Sequence, residues 1–77
     1  MRANDVMLDA IEYISFFYPL GCSAGEVQKY LNAKNGTSYK YKEVYRFLNY
    51  YSTSSNRPFI KMKVNDNTYF LCPRSNE

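Results

Sequence analysis

The chain has 77 residues, 45% of them hydrophobic and 22% charged, with a formal net charge of +3. That composition excludes a disordered basic tail and predicts one small folded domain, near the lower size limit for folding without a staple or partner. The longest apolar stretch, Tyr13 to Leu20, is interrupted by Ser15 and Pro19 and is far too short to span a bilayer.

Acids at Asp5, Asp9 and Glu12 stand where a secretory signal would need an apolar run, so the expected location is cytoplasmic. Two cysteines, Cys22 and Cys72, make no disulfide framework and are expected as free, buried thiols. The charge is unevenly spread. Residues 34–64 hold Lys34, Lys40, Lys42, Arg46, Arg57, Lys61 and Lys63 against Glu43 alone, whereas the 33 residues before them are net acidic. A concentrated positive field attracts a polyanion, because binding releases counterions condensed on its phosphates.

In chain order, the first element is a helix with Asn4 as its N-cap and Asp5 in its first turn. Met7, Leu8, Ile11, Ile14 and Tyr18 recur at helical spacing and predict its buried face; Pro19 and Gly21 end it. Ser23-Ala-Gly-Glu26 has the pattern of a capping box and predicts a second helix with Val27, Tyr30 and Leu31 buried, stopped at Asn35-Gly36. A third helix, capped by Thr37 or Ser38, runs to about Tyr51 on Tyr41, Val44, Phe47, Leu48 and Tyr51. At about 100° per residue, Lys42, Arg46 and Asn49 fall opposite that apolar stripe, with Tyr39, Tyr45 and Tyr50 flanking them.

Residues 52–56 read as a polar loop. Phe59 to Val64 alternates apolar and basic, which predicts a strand with Ile60, Met62 and Val64 facing in and Lys61 and Lys63 facing out. Asn65-Asp66-Asn67 is turn chemistry tolerant of positive φ, and Thr68 to Cys72 returns as the second strand. The expected organisation is a single domain over residues 1–73, with residues 74–77 a disordered tail.

Helix, helix, helix, then a two-stranded ribbon resembles the winged helix-turn-helix family of DNA-binding domains. The likeness runs from Ser23 to Val64 and, with the first helix, over nearly the whole chain. It lies in order and pattern and carries no invariant signature. The family's usual short strand after the first helix has only Leu20-Gly-Cys22 to form it here. The resemblance implies an α+β fold, a third helix in the major groove of double-stranded DNA and a hairpin wing on the adjoining backbone. Lys42, Arg46 and Asn49 would then meet the bases, arginine on guanine and asparagine on adenine. Tyr39 and Lys40 would meet phosphates or outer bases, and Arg57, Lys61, Lys63, Asn65 and Asn67 the backbone beside the wing. Tyr39, Tyr45 and Tyr50 stand open between phosphate-contacting hydroxyls and rim packing, with Tyr45 counted among the DNA-binding residues.

Base stacking of the tyrosines on single strands is the weaker alternative, since stacking platforms usually lie on exposed sheets. Val6, Ala10, Tyr13, Phe16 and Phe17 form a second apolar stripe on the first helix, expected either to be wrapped by the domain or to form a homodimer or partner seam. If the strand at Cys22 pairs with the last wing strand, Cys22 and Cys72 come close enough for a disulfide to be geometrically conceivable.

The chain has no histidine, three widely spaced glycines and no paired carboxylates in a cleft, so no enzyme, no cofactor and no zinc site is expected. Nothing in it marks a small-molecule ligand. The functional expectation is a sequence-specific double-stranded DNA-binding transcription regulator, perceived from its size as phage, viral or mobile-element in origin. The alternative left open is a protein-interaction module on the same fold.

Overall fold

The computed structural model describes residues 2–53 and 57–73. Three helices, α1 (Ala3–Ser15), α2 (Ala24–Asn35) and α3 (Tyr41–Thr53), precede two strands, β1 (Ile60–Val64) and β2 (Asn67–Leu71). The strands form an antiparallel hairpin in the register Ile60↔Leu71 to Val64↔Asn67. This α+β order is compatible with a winged-helix topology. The predicted tail at 74–77 lies outside the described residues, as do residues 54–56 of the predicted loop; Ser52 and Thr53 belong to α3.

The helix ends follow local chemistry. Ser23 caps α2: Glu26 N–H donates to its Oγ at 3.3 Å, and the Glu26 carboxylate accepts from Ser23 N–H at 3.0 Å. Gly36 closes α2 in the left-handed conformation at φ 63, where a Cβ would cost energy. The residue before α1 is Arg2, which makes no side-chain cap, while Asn4 lies inside the helix. Neither Thr37 nor Ser38 caps α3. Lys40 precedes that helix, and its N–H donates to the Glu43 carboxylate at 2.9 Å, the backward half of a capping box.

The turn between α2 and α3 is fixed by Asn32. Its Oδ1 accepts from Tyr39 N–H at 2.8 Å and Thr37 Oγ1 at 2.9 Å, while its Nδ2 donates to Tyr39 O at 3.0 Å. Gln28 donates to the same carbonyl at 3.1 Å. Four hydrogen bonds thus set where α3 begins.

The core gathers Val6, Ala10 and Ile14 of α1, Val27 and Leu31 of α2, Val44 and Leu48 of α3, and Phe59 and Phe70 from around the hairpin. Each large side chain fully withdrawn from water contributes roughly 1.5–3 kcal/mol. This stripe corrects the expected face of α1. Val6 and Ala10 are core and form no seam; Leu8, expected inside, is 78% exposed, and Tyr18 is 42% exposed. Ala10 decides the phase, because a small residue at the centre of the contact lets α1 approach its neighbours closely. Tyr13 then stacks on Tyr30, with ring centroids 4.2 Å apart.

The hairpin faces also differ from expectation. Directly opposed residues share a face, so Lys61 lies on the same side as Phe70, which is fully buried. The lysines therefore project from the helix-facing side, where the hairpin runs beyond the core. Ile60 and Val64, at 42% and 45% exposure, lie on the opposite face. Asn65 and Asp66 turn the chain with positive φ of 50° and 68°, as a two-residue type I′ connection requires. The short third strand is present as one bridge: Cys22 N–H donates to Phe70 O at 2.8 Å, and Phe70 N–H to Cys22 O at 2.7 Å.

Both cysteines are free thiols. Cys22 is buried beneath the bridge, and burial, followed by the nearby Glu26 charge, pushes its thiol up to about 12.

Candidate nucleic-acid interface

The polar side of α3 follows from the same wheel that buries Val44, Phe47 and Leu48. Lys42 and Arg46 lie four residues apart on that polar side, both exposed. Asn49 continues the row toward the hairpin, where it is half-buried and its Oδ1 accepts a 2.7 Å hydrogen bond from Lys61 Nζ. That bond joins the two elements carrying the predicted contacts. Lys61, and with it Lys63 two residues on along the same face, stands beside the α3 row. Lys40 is exposed at the entrance to α3.

Several of these residues also make contacts within the fold. Asn49 has its carbonyl oxygen engaged by Lys61, so its amide is oriented before any ligand arrives, with Nδ2 left to donate. Tyr45 sets its ring edge-on to Phe70 at 5.9 Å and stacks near Tyr41 at 6.1 Å, which makes it half-buried packing. Tyr39 is pinned through its backbone by Asn32 and Gln28. Tyr41, expected in the core, is 52% exposed.

Arg57 does not lie with the wing lysines. It borders a cleft with Met7 and Ile11 of α1 and Tyr51 of α3, at the root of the hairpin. At the hairpin tip Asn65 and Asn67 are exposed, but Asp66 sits between them. A polar cleft of about 440 Å³ separates this tip from Ser23, Glu26 and Tyr41.

Lys34 leaves the basic set altogether. Its Nζ is 2.9 Å from the Asp9 carboxylate and 3.7 Å from that of Glu12, tying α2 to the acidic side of α1. Lys34 is also 5.8 Å from the centre of the Tyr30 ring. The remaining acid of the basic block, Glu43, turns its carboxylate onto Lys40 N–H, and that bond first of all lowers its pKa.

Asn32 and Gln28, which hold α3 in place, escaped the sequence reading. Polar residues inside a helix give no periodic signal; only their spacing of four hints that they share a face. The exposed Phe16 and Phe17, predicted as part of a seam, lie on the turn after α1. Compared with known proteins, the chain matches no family model, no curated protein sequence and no solved structure.

Proposed function

We propose that this chain is a winged-helix protein that binds double-stranded DNA and regulates transcription, with α3 in the major groove and the hairpin on the flanking backbone. The observation that carries the reading is the Lys61–Asn49 hydrogen bond. It aligns the lysine face of the hairpin with the exposed side of α3, so that Lys42, Arg46, Lys61 and Lys63 border one surface. Glu43, the one acid of the basic block, turns its carboxylate onto Lys40 N–H.

An arginine on such a surface suits guanine O6 and N7, and lysines suit phosphates. Arg46 is accordingly assigned to base contact, Lys61 and Lys63 to the backbone, and Asn49 to positioning Lys61 while donating from Nδ2. The test is binding of the full chain to random-sequence duplex DNA by fluorescence anisotropy at low salt. Binding is expected, and the double substitution Lys42→Ala with Arg46→Ala should weaken it at least about tenfold, because each lost charge contact costs on the order of 1 kcal/mol. Both side chains are exposed, so the fold survives the change. Absence of binding by the unaltered chain, or full retention by the double variant, would overturn the reading.

A further inference from the structure

The hairpin has a second face with a shape of its own. Opposite Lys61, Lys63 and Phe70, the register places Ile60, Met62 and Val64 beside Leu71 and Tyr69. Met62, Val64 and Tyr69 join Phe17, Leu20 and Glu26 around a groove of about 470 Å³. The other wall is the turn after α1, held rigid where Leu20 N–H and Gly21 N–H both donate to Phe17 O, at 2.7 and 2.9 Å. Backbone bonds, not burial, fix this wall, and they hold Leu20 at 76% exposure. Phe16, on the same turn, is 79% exposed.

We propose that this face binds a second copy of the chain, Leu20 of each copy entering the groove of the other about a two-fold axis. Three features favour a second copy over an unrelated partner. An isologous contact needs a projection and a recess on one patch of one molecule, and Leu20 stands at the rim of the groove it would fill in its twin. The area is also right for a weak dimer. Phe17, Leu20 and Val64 of the groove, with Ile60 on the same hairpin face, are 40, 76, 45 and 42% exposed. At roughly 200 Å² for a fully exposed large side chain, they present on the order of 400 Å² per copy, which with Met62 and Tyr69 falls among weak, transient interfaces.

The charges agree as well. The groove's acid, Glu26, is exposed, and its carboxylate accepts from Ser23 N–H. The lysines lie on the other face of the hairpin, which keeps the two positive surfaces apart. This inference does not depend on DNA binding.

The test is sedimentation equilibrium of the full chain without DNA. Weak self-association, complete only at high protein concentration and detectable below the millimolar range, is expected. Leu20→Glu and Val64→Glu should each weaken it at least about tenfold, by seating a charge in an apolar contact. Leu8→Glu, at a position 78% exposed on α1, should leave it unchanged. A chain that stays monomeric up to millimolar concentration overturns the proposal, as does a dimer indifferent to both glutamates or broken by Leu8→Glu. Should a glutamate variant fail to fold, concentration-dependent methyl NMR shifts of the unaltered chain decide. Shifts centred on Leu20, Met62 and Val64 support the interface; shifts elsewhere, or none, refute it.

Discussion

Lys34 and Asp9 form an ion pair at 2.9 Å, and both partners reach solvent. Exposed pairs are worth little on average, so the pair serves chiefly to set where the end of α2 meets α1. The Lys34 hydrogen bond, opposed in part by desolvation, holds the Asp9 carboxyl below the usual carboxylate range. Its pKa is depressed on folding, so its stabilising contribution is complete above the unfolded value of about 3.9 and disappears as pH falls through the folded value. Asp9→Asn is therefore expected to lower the melting temperature slightly at pH 7 and to have no effect near pH 2. Thermal denaturation of both chains across that range measures it; a deficit that persists in acid would mean that Asp9 stabilises through packing. Asn49 shows the same economy of contact at the candidate interface, where one carbonyl oxygen orients a lysine from another element.

Among the elements, the most constrained is the short bridge at Cys22, because Gly21 brings it to β2. Gly21 has φ +79, and a Cβ there would lie 2.5 Å from Phe70 O, an atom committed to the bridge. Gly21→Ala should thus cost at least about 2 kcal/mol, from left-handed strain plus displaced backbone. Urea denaturation reads the loss directly, and an unchanged midpoint would show that the bridge is dispensable. By contrast Gly36, also at positive φ, has open space around it, so alanine there meets conformational strain alone. The elements that were legible in sequence are those whose signals are local. Ser23 and Glu26 announce the start of α2, Gly36 its end, and Asn65-Asp66 the turn of the hairpin. Two features were not legible because they are settled by packing. α1 carries two apolar stripes, and Ala10, not the bulkier Leu8, marks the buried one. On β2, Phe70 and Leu71 are consecutive yet both buried, so alternation along β1 could not say which face of the hairpin meets the helices. For the candidate site, Lys42 and Arg46 followed from the wheel, whereas the Lys61–Asn49 contact needed two elements distant in sequence to meet.

At the scale of the whole molecule, the charge is sorted in space more sharply than along the chain. Lys34 is withdrawn to the acids of α1, Arg57 borders a cleft with Met7 and Ile11, and Lys61 reaches Asn49 of α3, on which Lys42 and Arg46 stand exposed. The longest dimension is 34 Å, about one turn of B-form DNA, so on the proposed reading one copy would cover a single groove segment and its flanking phosphates. Two copies joined behind their hairpins would keep both lysine faces open to the solvent. If the surface is a duplex site, affinity falls linearly with the logarithm of salt concentration, with a slope of about 0.9 per neutralised phosphate. Lys61→Ala with Lys63→Ala should then flatten that slope by about 2, since both lysines are assigned to the backbone. Lys34→Ala with Arg57→Ala removes the same amount of charge from other parts of the molecule and should leave the slope where it was. Titrations of the three proteins at several salt concentrations separate the cases. Equal flattening by the two pairs would mean that duplex DNA responds to net charge alone, and that the alignment of α3 with the hairpin has no part in binding.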